Sequence, residues 1–218
     1  MAASTRMIKP LCVVPLFLAF LGSAWAQTYE VSIFRGFARM GKAPLGSNNS
    51  DTPVDNETMF RNGWSTGIRL TLNMRGYYGH EVGFMHTRAG IRTSILQADG
   101  TTMTPVESHV NIEQAFYNFL IYMMPKGERW RPYMTGGVQT AKTGNPRIDG
   151  WQAAAMRNFG FNYGAGIKFK LSKHFLVRLD ARDYLTGKPY ADLSFKDSTR
   201  RGSLVRQQEA SFGLDFGF

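Results

Sequence analysis

The chain has 218 residues and a formal charge of +10, from 26 Lys and Arg against 16 Asp and Glu. Its one cysteine is Cys12, so a disulfide, a thiolate nucleophile and a cysteine-ligated metal are excluded from everything that follows it. The mean hydropathy is slightly negative, which excludes a bundle of membrane helices but not a membrane barrel, where only alternate residues face lipid.

Residues 1–26 read MAASTRMIKPLCVVPLFLAFLGSAWA. Arg6 and Lys9 make a positive start, and Leu11 to Leu21 form an apolar stretch too short to span a bilayer as a helix. Ala24 and Ala26 suit a small-x-small cleavage site, so a signal peptide over 1–26 and a mature domain over 27–218 are expected. Removing Arg6 and Lys9 lowers the charge from +10 to +8. For an exported chain the expected counter-charge is phosphate-bearing lipid, not nucleic acid.

Eight period-two segments follow in chain order, each predicted as a strand. Tyr29 to Met40 is the first. In Trp64 to Met74, Ile68, Leu70, Leu72 and Met74 oppose Gly67, Arg69, Thr71 and Asn73. Tyr78 to Ala89 is the third. In Val110 to Met124, Ala115, Tyr117, Phe119, Ile121 and Met123 share a face, with Phe116 and Leu120 on the other. Pro132 to Thr140 is the fifth. Phe159 to Leu171, FGFNYGAGIKFKL, alternates most clearly. In Phe175 to Asp183, Phe175, Val177, Leu179 and Ala181 oppose Arg178, Asp180 and Arg182. The eighth, 207–218, places Phe212, Leu214, Phe216 and Phe218 on one face and ends on a phenylalanine.

The polar faces of these strands carry Arg69, Glu81, Lys168, Arg178, Asp180, Arg182 and Asp215. Isolated charges facing an apolar core would be very unfavourable, so an interior of paired charges with an apolar exterior is expected, as in a membrane barrel. The connections support this. Those at 75–77, 125–129 and 172–173 are short; those near 41–62, 90–108, 142–158 and 186–206 are expected to be long. Short turns at one end and long loops at the other suit an outer-membrane barrel with both termini periplasmic. Backbone left unpaired in lipid costs too much, so the sheet must close. Eight strands leave a lumen that side chains fill. Trp64, Tyr78, Trp130, Tyr133, Tyr184 and Phe218 are candidates for interfacial aromatic girdles.

The stretch NYGAGIKFKLSKHFLVRLDARDYLTGKP, with the terminal FGLDFGF, resembles the eight-stranded outer-membrane β-barrel family similar to the transmembrane domain of outer-membrane protein A. The resemblance implies an all-β, antiparallel, up-and-down transmembrane barrel in the outer membrane. It also implies that Phe212, Leu214, Phe216 and Phe218 form a C-terminal signal read by the outer-membrane assembly machinery. That relative carries a peptidoglycan-binding domain after its barrel; this sequence ends with the barrel strand, so cell-wall anchoring is not implied.

Catalytic, metal and cofactor chemistry finds little support. Glu107, Ser108, His109 and Glu113 are the residue types of an acyl hydrolase, but neighbours on a strand point to opposite faces. His80 and His86 share a face yet stand about 20 Å apart along an extended chain, too far for one metal. The oxygen-rich loop SNNSDTPVDNE lacks a recognisable calcium spacing. The loop from Lys196 to Arg206 holds Lys196, Arg200, Arg201 and Arg206, suited to lipopolysaccharide phosphates. The expected function is a structural or interaction barrel serving envelope integrity, adhesion or a narrow conductance. A lipid A-modifying acyl hydrolase and a soluble periplasmic lipid-binding barrel are the alternatives.

Overall fold

The computed structural model describes residues 28–48, 58–74, 76–96, 103–191, 193–195 and 204–218; the expected signal peptide lies outside them. Eight strands run in chain order: β1 (Thr28–Met40), β2 (Met59–Met74), β3 (Tyr78–Leu96), β4 (Met103–Tyr122), β5 (Trp130–Thr143), β6 (Arg157–Lys170), β7 (Phe175–Thr186) and β8 (Val205–Gly217). Each pairs antiparallel with the next, and β8 returns to β1, so the sheet is a closed barrel. The seam runs from Glu30 opposite Gly217 to Met40 opposite Gln207. Beyond it, Phe218 and Tyr29 exchange two backbone hydrogen bonds, of 3.0 and 3.3 Å.

The alternation of the sequence becomes two surfaces. Outside, Val31, Ile33, Leu70, Val82, Phe84, Ile121, Met134, Phe161, Leu179, Phe212 and Leu214 are exposed. Inside lie charged and amide side chains, among which Glu81, Lys168 and Arg178 are fully buried, at 0% exposure. Burying ionised groups while exposing aliphatic ones is the reverse of a water-soluble fold. It is the arrangement that hydrocarbon selects, because lipid rewards the apolar face and the ring leaves no sheet edge.

Two expectations from sequence need correction. The third connection, expected near 90–108, is mostly strand: β3 runs to Leu96 and β4 starts at Met103. Likewise β2 begins at Met59, five residues before Trp64, and contains a β-bulge between Arg61 and Gly63. The physical reason is an inversion of polarity. Outward residues change character along each strand toward the long-loop end: Phe84 gives way to His86 and Arg88, Ala115 to Glu113, and Ala210 to Gln208. On the inward face Ala89, Ile91, Val110 and Ile112 are buried. Past the apolar belt the sheet has water outside and an oily interior, so the search for lipid-facing alternation stops short of the strand ends.

That oily interior is a second core. Ile91, Val110, Ile112, Phe60, Met40 and Ala141 meet Leu45, Ala153, Tyr190 and Leu193 from the loops. The loops are stitched over the mouth by backbone pairs between Ser47 and Ser194, at 2.7 and 3.1 Å, and by the bridge between Ala155 and Tyr190. The Tyr190 hydroxyl donates to the Gly144 carbonyl at 2.8 Å, and burial holds its phenol above the ordinary tyrosine range. We predict that Ile91→Ala, which leaves a cavity in this cap, destabilises the folded barrel by roughly 2–5 kcal/mol. Urea titration in lipid vesicles, read by gel mobility, measures it; an unchanged midpoint would show that the cap is not part of the cooperative fold.

Candidate functional site

The chemical groups concentrate inside the barrel. Glu30, Glu81, Asp180, Glu209 and Asp215 face Arg69, Arg131, Lys168, Arg178 and Arg182, all buried. Five carboxylates against five cations leave the lumen formally neutral. Alternation directs each side chain inward, and the antiparallel register decides the neighbours: Thr71 stands opposite Glu81, and Lys168 opposite Arg178.

Asp180 is the hub. It accepts from Arg69 Nη1 at 2.6 Å, from Arg178 Nε at 2.9 Å, from Arg182 Nη2 at 3.1 Å and from the Tyr133 hydroxyl. Glu81 bridges the same cations, 2.6 Å from Arg178 Nη1 and 2.8 Å from Arg182 Nη2. Three guanidinium groups converge because these two carboxylates divide five ion pairs between them. Toward the termini, Lys168 pairs with Glu30 and lies 3.6 Å from Asp215. Glu209 lies 3.7 Å from Arg69.

Aromatic rings complete the cations' coordination. The Arg69 guanidinium lies 3.7 Å from the Phe34 ring centre, and that of Arg131 lies 3.8 Å from the Tyr122 ring centre. Both contacts are within cation–π range. Arg131 also donates to the Gly76 carbonyl at 2.9 Å, tying the lumen floor to the first short turn. Room for the Phe34 ring comes from glycine on the facing strand: a Cβ at Gly67, opposite Phe34, would sit 2.6 Å from that ring.

The structure therefore places Arg69, Glu81, Lys168, Arg178, Asp180, Arg182 and Asp215 in one cluster. Sequence reading left out Glu30, Glu209 and Arg131, although each falls on the inward parity of its strand. It also misassigned two aromatics. Tyr133 and Tyr184 are buried within the lumen, where Tyr133 serves Asp180; Trp64, Tyr78, Trp130 and Phe218 are exposed on the outside. The two tyrosines lie on the inward parity of β5 and β7, so they cannot belong to a girdle.

The remaining candidates scatter. Ser108 donates to the Arg147 carbonyl at 3.4 Å, while His109 is exposed on the other face. His80 sits outside against the Tyr117 hydroxyl at 2.6 Å. Among the described residues no group of three or more His, Cys, Asp or Glu is placed to hold a metal. Lys196, Arg200 and Arg201 lie outside the described residues, as does the segment from Asn49 to Glu57. Arg206 is on the outer face, paired with Asp183, whose carboxylate also accepts from the Tyr163 hydroxyl at 3.2 Å. Phe212, Leu214, Phe216 and Phe218 are exposed in one outward row, and Phe216 packs edge-on against Phe175.

An ionised interior, an apolar belt and a closed ring of eight strands define an outer-membrane β-barrel. The chain belongs to the family described as outer membrane protein beta-barrel domain, whose model matches residues 16–218. Its fold is similar to that of Neisserial surface protein A, with a TM-score of 0.57 at 11% identity, covering 87% of this chain and 97% of that one. It is also similar to OprG from Pseudomonas aeruginosa, with a TM-score of 0.58 at 9% identity, covering 88% and 96%. A third similar fold is the outer membrane protein AlkL in lipid bilayers, with a TM-score of 0.57 at 12% identity, covering 100% and 97%. No curated protein matches the sequence. A soluble periplasmic barrel is thereby set aside, since both the family and the exposed belt put the chain in the outer membrane.

Removing the hub should be costly. Asp180→Ala leaves Arg178 and Arg182 to share Glu81 and leaves Arg69 with Glu209, 3.7 Å away, and we expect a loss of about 3–5 kcal/mol. Urea unfolding in lipid vesicles measures this. A loss below 1 kcal/mol would mean that the cations re-pair or reach water.

Proposed function

We propose that this barrel is a structural and interaction protein of the outer membrane. Its processed chain starts at Gln27, its filled lumen acts as a rigid strut, and its long-loop end faces outward. The observation that carries this reading is the double filling of the interior. A paired charge cluster occupies the membrane-level lumen, and an apolar cap of loop residues covers the mouth. Envelope integrity or adhesion fits such a body better than conduction, because moving an ion through it would require breaking buried ion pairs. The purified protein in a planar bilayer should show no unitary conductance steps. Regular steps from the unmodified chain would replace the strut with a channel.

The closing strand supports a further part of the reading, an assembly signal formed by Phe212, Leu214, Phe216 and Phe218. These side chains are exposed on the outer face, where a partner can reach them. Deleting Phe218 should lower the amount of folded protein in cell membranes several-fold while refolding into detergent proceeds at the parental yield. Equal losses in both settings would make Phe218 a stability residue only.

A further inference from the structure

Above the apolar belt the outer face of β1–β3 carries cations with too few partners. Arg39, Lys42, Arg61 and Arg92 line one open depression of about 600 Å³, with Asn62 on its wall. Only Arg61 is paired among the described residues, to Glu107 at 2.8 Å. Among the described residues, then, four cations stand beside one carboxylate, and they repel one another unless an anion joins them. The lumen's five carboxylates match its five cations, so the chain's excess positive charge lies outside the lumen.

The sequence builds this depression on purpose-shaped backbone. The bulge between Arg61 and Gly63 breaks the β2–β3 register, so that Arg61 and Asn62 are both exposed. Bulges re-aim side chains in this way. Asn62 Oδ1 accepts from the Met40 amide at 3.1 Å, which ends β1 beside the bulge. Gly63 is required, because a Cβ there would sit 2.0 Å from the Arg88 carbonyl oxygen.

The location selects the anion's source. The depression opens on the outer wall, directly above the lipid-facing residues Phe37 and Trp64. Headgroups of the outer leaflet lie at that level, and guanidinium groups grip phosphate with paired hydrogen bonds. Arg39 also borders a neighbouring apolar trough over β6–β8, whose floor includes Ala181 and Ala210. Lower in the belt an adjoining apolar depression, also floored by Ala181 and Ala210, holds Arg35, whose partner among the described residues is the Trp64 ring, at 5.4 Å. An arginine on the lipid face is destabilising at mid-membrane and less so near the surface.

We infer that Arg39, Lys42, Arg61 and Arg92 form a binding site for the phosphate groups of an outer-leaflet glycolipid. Its acyl chains lie against the β6–β8 trough beside Arg35. The site is on the barrel wall and does not depend on the last loop, where Lys196, Arg200 and Arg201 lie. It is also independent of whether the loops adhere or the lumen conducts.

The test uses the full processed chain in detergent, titrated with diphosphorylated lipid A, with its dephosphorylated counterpart and with inorganic phosphate. Bound lipid is counted by native mass spectrometry. The variant Arg39→Ser/Lys42→Ser/Arg92→Ser is compared with the charge-matched Lys126→Ser/Arg129→Ser/Lys173→Ser at the opposite end; Arg61 is kept for its pair with Glu107. We expect the first variant to bind the diphosphorylated lipid at least tenfold more weakly than the parent, and the second to stay within twofold. The dephosphorylated lipid should bind weakly to all three. Parental affinity in the first variant would overturn the inference, as would equal affinity for the dephosphorylated lipid. Inorganic phosphate competing at equimolar concentration would overturn the lipid assignment. If the triple variant lacks a compact, heat-modifiable band, Arg39→Gln and Arg92→Gln are measured singly. Each should weaken binding about threefold, and no change in either would overturn the site.

Discussion

The closed backbone ladder is the constraint on which the rest of the structure depends. In hydrocarbon an unpaired amide or carbonyl has no water to turn to, so every strand must have two neighbours. Eight strands satisfy this only when β8 meets β1, and closure creates an inside. The inside must then accept whatever alternation sends there. Here it receives Glu30, Glu81, Asp180, Glu209 and Asp215 with an equal number of cations. The hub at Asp180 follows from closure: Arg69 comes from β2, Tyr133 from β5, and Arg178 and Arg182 from β7. No open sheet would bring those strands to one point.

The same ring crosses two solvents. Along the belt lipid lies outside and the ionised cluster within. Beyond Arg88, Glu113 and Gln208 the outside is polar and the inside turns to Ile91, Val110 and Ile112. The upper barrel is therefore packed like an ordinary soluble core, closed by Leu45, Tyr190 and Leu193 from its own loops. One continuous hydrogen-bonded wall serves both regimes, because the ladder is indifferent to which face is oily. The side chains alone record where the membrane ends.

A filled interior moves interaction chemistry to the outer wall and the rim. The paired lumen has little reason to release its ions. Outside, Asp183 is matched by Arg206, whereas Arg39, Lys42 and Arg92 have no carboxylate partner among the described residues. That contrast, between charges compensated by the chain and charges left to the surroundings, separates the groups that hold the barrel together from those available to a ligand.

Much of this was legible in the residues themselves. The alternation from Phe159 to Leu171 and from Phe212 to Phe218 is a local property, since a strand turns successive side chains to opposite faces whatever its partners are. Closure and strand number also follow from composition and length under the demand for paired backbone. Other features arise only from the stagger of strands distant in sequence. Glu30 and Lys168 are 138 positions apart and meet through β1, β8, β7 and β6. Tyr133 reads as a rim aromatic until Asp180 is placed beside its hydroxyl. The extensions of β2–β4 were hidden because their polarity inverts above the membrane. The bulge at Arg61 shifts register without any mark in the alternation. Sequence by itself determined which way each side chain faces, because that is set by the backbone period; the tertiary structure alone decided which charges meet, because that is set by how the ring closes.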